Sequence, residues 1–184
     1  MKRLFATLLV ATAALFCSFS AKAIEDPFKS GTVIAGAHFG VLPGIGTTIY
    51  GDYVLVDSWW RGHFSVGAEF GYTRRTLRSY DVTLGDIFDL DFNVEEKKTK
   101  WNNFAALTRT CYGLNISDSF EVHAGVLLGL GIMSTKELPK PEYGFAWGGL
   151  MGLRYFFTEN LAGSFEMQYT GYSPWLNIGL AFKF

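Results

Sequence analysis

The sequence predicts an all-β, eight-stranded antiparallel up-and-down transmembrane β-barrel. Apolar and polar residues alternate along short segments, which is the pattern of strands with two different faces. After the N-terminal leader, no segment has the roughly 20 apolar residues that a spanning helix needs. Yet 49% of the 184 residues are hydrophobic and 17% are aromatic, and the sequence also has 21 glycines. A barrel whose outer wall faces lipid accounts for so much apolar surface.

The first 23 residues have the pattern of a secretory signal peptide. Lys2 and Arg3 give a positively charged start, an apolar stretch follows, and Ala21 and Ala23 form a small-x-small cleavage site. We therefore expect residues 1–23 to be removed. Residues 24–184 are then predicted to form the barrel domain.

The cysteines and charges exclude several classes of protein. Cys17 lies in the leader and Cys111 is the other of the two cysteines, so an exported disulfide scaffold is not expected. A lipoprotein signal at Cys17 is disfavoured because Phe16 stands where a small residue is needed. The sequence has 16 Lys and Arg against 17 Asp and Glu, so a nucleic-acid partner is not expected. Zinc-type Cys/His spacing is absent, and no metal or cofactor is predicted.

Eight segments alternate with period two, most clearly in the second half of the chain. Along residues 175–184, Leu176, Ile178 and Leu180 fall on one face and Asn177 on the other. Each segment approaches the length of roughly 9–11 residues that a tilted membrane strand requires. The predicted strands lie near 31–39, 47–56, 63–74, 101–114, 120–130, 143–157, 164–170 and 175–184.

Every second predicted strand ends with two apolar residues on one face, followed by a short polar turn. This pattern predicts a girdle of interfacial residues at one end of the barrel, on the side of the short, periplasmic turns. The predicted periplasmic girdle consists of Tyr53, Leu55, Tyr112, Leu114, Tyr155 and Phe157. The connections on the other side vary in length, and the one near 75–100 is long and acidic. Its weak alternation between Asp86 and Val94 suggests a ribbon that extends strands three and four.

Charged residues occupy the face opposite the aromatic one, where a narrow barrel holds its side chains. We expect them to form an ion-pair network that fills the lumen, although several could instead lie near the mouths in solvent. Breaking one buried pair costs about 3–5 kcal/mol because the partner is left uncompensated. The predicted network consists of Asp52, Glu69, Arg109, Glu121, Arg154, Glu166 and Lys183.

The C-terminal residues resemble the signal that outer-membrane barrels present to their assembly machinery. Asn177, Gly179, Phe182 and Phe184 match its polar, glycine and aromatic places. With the leader and the eight-strand pattern, the chain resembles the small OmpA/OmpX-type outer-membrane β-barrels. This resemblance implies a bacterial outer-membrane location with both termini on the periplasmic side. It implies outer-membrane lipids, lipopolysaccharide and the assembly machinery as partners.

Three functions are consistent with these features. The favoured one is a non-enzymatic surface or envelope protein with a filled lumen, whose extracellular loops, above all 75–100, contact an unidentified surface ligand. The second is a narrow porin-like channel for small solutes or apolar molecules, in which lumen glycines leave a passage. The third is an outer-leaflet enzyme that modifies lipid A, for which His38 and Ser173 could approach each other at the outer rim. Strand parity argues against it, because His38 falls on the lumen face, and we predict no catalytic residues.

Processing of the leader is directly testable. The exported protein is expected to begin at Ile24, because cleavage follows Ala23. Intact-mass spectrometry of membrane extracts measures this, and Ala23→Arg should leave the leader attached. A mature N-terminus at Cys17 carrying a lipid would instead support the lipoprotein alternative.

Overall fold

The computed structural model describes residues 28–59, 62–84, 92–136 and 140–184. The predicted signal peptide lies outside these residues. All eight elements are strands, and they confirm the predicted fold class. The strands are β1 (Val33–Val41), β2 (Ile45–Trp59), β3 (Gly62–Leu84), β4 (Phe92–Ser117), β5 (Phe120–Thr135), β6 (Glu142–Phe156), β7 (Leu161–Tyr169) and β8 (Leu176–Lys183).

The strands form a closed antiparallel ring in chain order. Each pairs with its neighbour in sequence, and β8 returns to pair with β1 from Ile34↔Lys183 to Val41↔Leu176. Val33 and Phe184 exchange backbone hydrogen bonds of 3.1 and 2.8 Å beyond that seam. Closure gives every strand a neighbour on both sides within the ring, whereas β3 beyond Arg74 and β4 before Trp101 pair only with each other. Among the described residues, no helix is long and apolar enough to cross a membrane.

Side chains alternate between the outer wall and the interior because strand side chains have a period of two. On β6, Tyr143 and Trp147 expose 76% and 69% of their surface, while Ala146 and Arg154 are buried. The large residues therefore lie outside and the small or charged ones inside. That is the distribution predicted from the sequence, and it is the reverse of a water-soluble barrel.

The two ends of the barrel differ. The terminal end carries Phe28, where the described residues begin, the C-terminal Phe184 and the short β2–β3, β4–β5 and β6–β7 turns. The loop end carries the other connections. At the loop end β3 and β4 stay paired as far as Leu84↔Phe92. The expected long loop at 75–100 is therefore mostly a two-stranded ribbon, as its weak alternation suggested. Asp86 and the other residues of 85–91 lie outside the described residues.

Two apolar clusters close the interior above and below its charged middle. Phe28, just before β1, is fully buried with Ile34 and Val54 at the terminal end. Toward the loop end, Tyr172 from the β7–β8 connection packs on a second cluster. That cluster consists of Ala105, Leu107, Cys111, Leu127, Ala146 and Leu150.

The interior glycines make room for these bulky groups. The Tyr172 ring lies against Gly131 and Gly144, where any larger residue would collide with it. Gly152 faces His123 and Glu166 in the same way. Of the glycines that could have outlined a passage, these three are covered by neighbouring side chains.

This packing predicts that alanine destabilises the barrel at one glycine of β6 and is tolerated at another glycine three residues away. A β-carbon at Gly152 would lie 2.6 Å from Nε2 of His123 and 2.7 Å from the Phe165 carbonyl oxygen. Gly152→Ala should lower the free energy of unfolding by about 1–3 kcal/mol through overpacking. The control is Gly149→Ala, where the nearest atom is 3.7 Å away and a change within about 0.5 kcal/mol is expected. Urea unfolding of both variants in lipid vesicles measures the difference, and equal stabilities would contradict the packing.

Candidate functional site

Arg109 of β4 is the centre of the interior network. Its Nη1 donates to Oε2 of Glu69 at 2.8 Å, and its Nη2 donates to Oε1 of Glu166 at 3.0 Å. Its Nε lies 3.0 Å from Oδ1 of Asp52, an ion pair without hydrogen-bond alignment. The three carboxylates come from β3, β7 and β2, so one guanidinium links opposite walls of the barrel. Arg109 itself is buried.

Arg154 of β6 forms the second half of the network, nearer the terminal end. Its Nη1 donates to both carboxylate oxygens of Glu121, at 2.9 and 3.1 Å. Its Nη2 donates to Oδ2 of Asp52 at 3.4 Å. Asp52 therefore joins the two arginines, which makes the network continuous across the lumen.

Tyr50 lies between the two arginines and was not predicted. Its ring centre is 4.1 Å from the Arg109 guanidinium carbon and 5.5 Å from that of Arg154. Arg154 Nε also donates to its hydroxyl at 3.3 Å. The ring face attracts both cations and fills space that water would otherwise occupy. Tyr50 shares the inward parity of Asp52, and that parity was the signal available in the sequence.

Three histidines also lie in the interior, and two of them, His63 and His123, contact carboxylates of the network. Nε2 of His123 is 3.0 Å from Oε1 of Glu166, and Nε2 of His63 is 3.6 Å from Oε1 of Glu121. The His63 ring also packs on Phe28, with ring centres 4.3 Å apart. Each of these histidines thus joins a carboxylate of the network rather than a separate site.

His38 differs from the sequence hypothesis that placed it near Ser173 at the outer rim. It is buried, and its Nε2 lies 3.0 Å from Oγ of Ser164 on β7, with Gly179 of β8 in register between the two residues. Its Nδ1 lies 3.4 Å from Oγ1 of Thr48. The suggested His38–Ser173 pairing is not formed, because the imidazole contacts Ser164 and Thr48 and the Ser173 Oγ makes no hydrogen bond within the described residues.

Six of the seven residues predicted for the network lie together in the interior. The exception is Lys183, whose Nζ lies 5.4 Å from the ring centres of both Phe28 and Phe156. It is half-buried at the terminal end. Because β8 ends there, its side chain reaches the aromatic plug and not the carboxylates.

The other predicted residues lie on the wall. Of the girdle, Tyr53, Leu55, Tyr155 and Phe157 are exposed, whereas Tyr112 and Leu114 are half-buried. Of the C-terminal pattern, Phe182 and Phe184 are exposed on the outer wall. Gly179 faces His38 inside, and Asn177 is buried and donates to the Pro174 carbonyl at 3.0 Å.

The interior side chains contact one another, and the described residues leave no place among them for a substrate. Within the described residues, no group of three or more His, Cys, Asp or Glu is arranged to hold a metal ion. Cys111 is buried in the apolar cluster. The charged groups of the network therefore pair with one another inside the barrel.

Comparison with known proteins gives similarity of fold at low sequence identity. No family model and no curated protein matches the chain. Neisserial surface protein A is 15% identical, with a TM-score of 0.49 over 83% of this chain and 94% of that one. The N-terminal β-barrel domain of Pseudomonas aeruginosa OprF is 15% identical, with a TM-score of 0.45 over 85% of this chain and 98% of that one.

A third similar structure is the Yersinia pestis outer membrane protein Ail in a phospholipid bilayer nanodisc. It is 15% identical, with a TM-score of 0.47 over 85% of this chain and 100% of that one. The eight-stranded barrel described above rests on the hydrogen-bonded ring of this chain itself.

Loss of the central guanidinium should destabilise the barrel strongly. Arg109→Met leaves Asp52, Glu69 and Glu166 without their shared cation, and we expect the free energy of unfolding to fall by about 3–5 kcal/mol. Lys29→Met is the control, because Lys29 is exposed and should change stability by less than about 0.5 kcal/mol. Urea titrations in lipid vesicles measure both. Equal stability of the two variants would mean that the network does not hold the strands together.

Proposed function

We propose that this protein is an integral bacterial outer-membrane barrel with a closed lumen, acting as a non-enzymatic surface or envelope protein. The observation that carries the proposal is the distribution of polarity: ion pairs fill the interior while aromatic and aliphatic residues cover the outer wall. Exposing such an outer wall to water would be unfavourable, whereas contact with lipid hydrocarbon is favourable. Closure of the barrel gives the backbone groups the hydrogen-bond partners that lipid cannot provide.

The height of the apolar wall fits a bilayer. On β3 the outward residues from Phe64 to Tyr72 are apolar or aromatic, and we call this level of the wall the apolar band. Eight steps extend about 27 Å along the strand, or about 21 Å along the axis at a typical barrel tilt. Outer-membrane barrels have an apolar band of roughly 25 Å. Phe145, Leu130 and Ile178 expose at least 64% of their surface on other strands of the same wall.

Three layers of side chains support a closed lumen. Phe28 fills the terminal end, the Arg109–Arg154 network fills the middle, and Tyr172 fills the loop end. The channel alternative needs a continuous path past all three layers. Of the glycines that suggested such a path, Gly131, Gly144 and Gly152 are covered by Tyr172, His123 and Glu166.

The β3–β4 ribbon is the part of the barrel best suited to contact other molecules. It is the longest hairpin, with strands of 23 and 26 residues, and it extends beyond its neighbours at the loop end. If the terminal end faces the periplasm, as the short turns suggest, the ribbon is extracellular. We propose that a surface ligand binds there, and that the leader and the Asn177–Phe184 pattern direct export and assembly. Catalysis at the rim has no support from His38, which faces Ser164 inside.

Membrane insertion predicts that charge on the wall is penalised according to depth. Leu128→Arg places a cation at mid-height of β5 and should cost about 2–4 kcal/mol. The matched variant is Ile45→Arg, next to Arg74 at the loop end, with an expected cost of about 0–1 kcal/mol. Unfolding free energies in lipid vesicles measure both. Equal costs would mean that the wall does not face hydrocarbon.

The closed lumen predicts that the protein carries no current. In a planar lipid bilayer the refolded protein should be silent, and so should the Phe28→Ala/Tyr172→Ala variant, since the network still fills the middle. Discrete steps from the unaltered protein would contradict the closed lumen and favour the channel. Steps from the variant alone would show that the end plugs, not the network, close the barrel.

A further inference from the structure

The outward face of the β3–β4 ribbon changes from aromatic to basic at one level. Phe70 and Phe104 expose 59% and 50% of their surface on the apolar band. Arg74, Lys98 and Lys100 follow on the same outward parity, beyond Tyr72 and Asn102, and all three are exposed. We call Arg74, Lys98 and Lys100 the basic face.

Charge is segregated along the ribbon. The sequence has no acidic residue between positions 74 and 80 or between 97 and 117, and the acids lie nearer the tip, from Asp81 to Glu96. Positions 74–78 and 97–100 hold six of the 16 Lys and Arg of the whole sequence. Lys98 pairs in register with Arg78, and Lys100 with Thr76. The cations of the ribbon therefore lie nearer the apolar band than its acids do.

The cations are concentrated on one side of the barrel. Ile45, the register partner of Arg74 on β2, exposes 60% of its surface. Tyr143 and Trp175 keep other parts of the loop end apolar or aromatic, with 76% and 41% exposed. A general preference for cations at a membrane interface would distribute them around the whole barrel. Their concentration on one side is what a binding surface would show.

We propose that the basic face binds the phosphate groups of lipid headgroups in the outer leaflet. This inference rests on the proposed membrane insertion. Arg74 lies two residues beyond Tyr72, about 7 Å along the strand from the edge of the apolar band, which is the level of headgroup phosphates. An arginine fork and a neighbouring lysine suit phosphate oxygens. The apolar band directly below accommodates the acyl chains of the same lipids.

The test measures which lipids stay bound. The refolded protein is placed in phosphatidylcholine nanodiscs containing equal amounts of diphosphoryl and dephosphorylated lipid A, and native mass spectrometry gives the ratio of retained forms. The variant is Arg74→Gln/Lys100→Gln, and the control Lys29→Gln/Lys140→Gln removes the same charge from exposed sites outside the basic face. Each cation near an anionic surface strengthens association about fivefold, so the variant should lower the ratio about 25-fold at low salt. The control should stay within about twofold.

The outcomes separate this inference from the proposed function. Refolding into nanodiscs with no preference for the phosphorylated lipid would overturn the basic face while leaving the membrane barrel intact. An equal loss in the control would also overturn it. An unchanged lipid ratio together with reduced binding of soluble heparin would assign the face to a polyanion in solution. Failure of the unaltered protein to enter nanodiscs would overturn both proposals.

Discussion

The structure depends on the ion-pair contacts of one buried arginine. Arg109 holds carboxylates from β2, β3 and β7 in a space too narrow for bulk water. Charges moved out of water lose several kcal/mol of solvation, which only close, oriented partners offset. The network therefore requires a particular register of the surrounding strands, because a slip of one residue would turn each carboxylate toward the outer wall.

That constraint explains features distributed over the rest of the chain. Glycine stands at these interior positions because Tyr172 and His123 occupy the space that a larger side chain would need. The outer wall can be mostly apolar because Arg109 and Arg154 pair with carboxylates inside the barrel. With the interior occupied by its own side chains, interaction with other molecules falls to the ribbon and the wall. The basic face above the apolar band is one such surface, and its anionic partner follows from charge and height.

Much of this architecture could be predicted, because alternation with period two reports directly which face a residue occupies. Parity alone placed Arg109, Asp52 and Glu166 inside. It could not place Phe28 or Tyr172, which lie outside the strands and enter the lumen through turns of the backbone. It also missed the position of Lys183, since parity gives the face but not the height at which a strand ends. The ribbon is longer than the sequence predicted. Its alternation places Asp between Phe and Leu residues, so it is weaker than the aromatic alternation of the other strands.

The most direct measurement of this account is solid-state nuclear magnetic resonance of the arginine side chains in lipid bilayers. Selective labels report the distances from guanidinium nitrogens to carboxylate carbons and the rate of proton exchange with water. The account predicts that Arg109 contacts both Glu69 and Glu166, whose oxygens lie 2.8 and 3.0 Å from its Nη atoms, and that its protons exchange slowly. A freely rotating guanidinium in rapid exchange with water would contradict it, since the lumen would then be an open, water-filled pore.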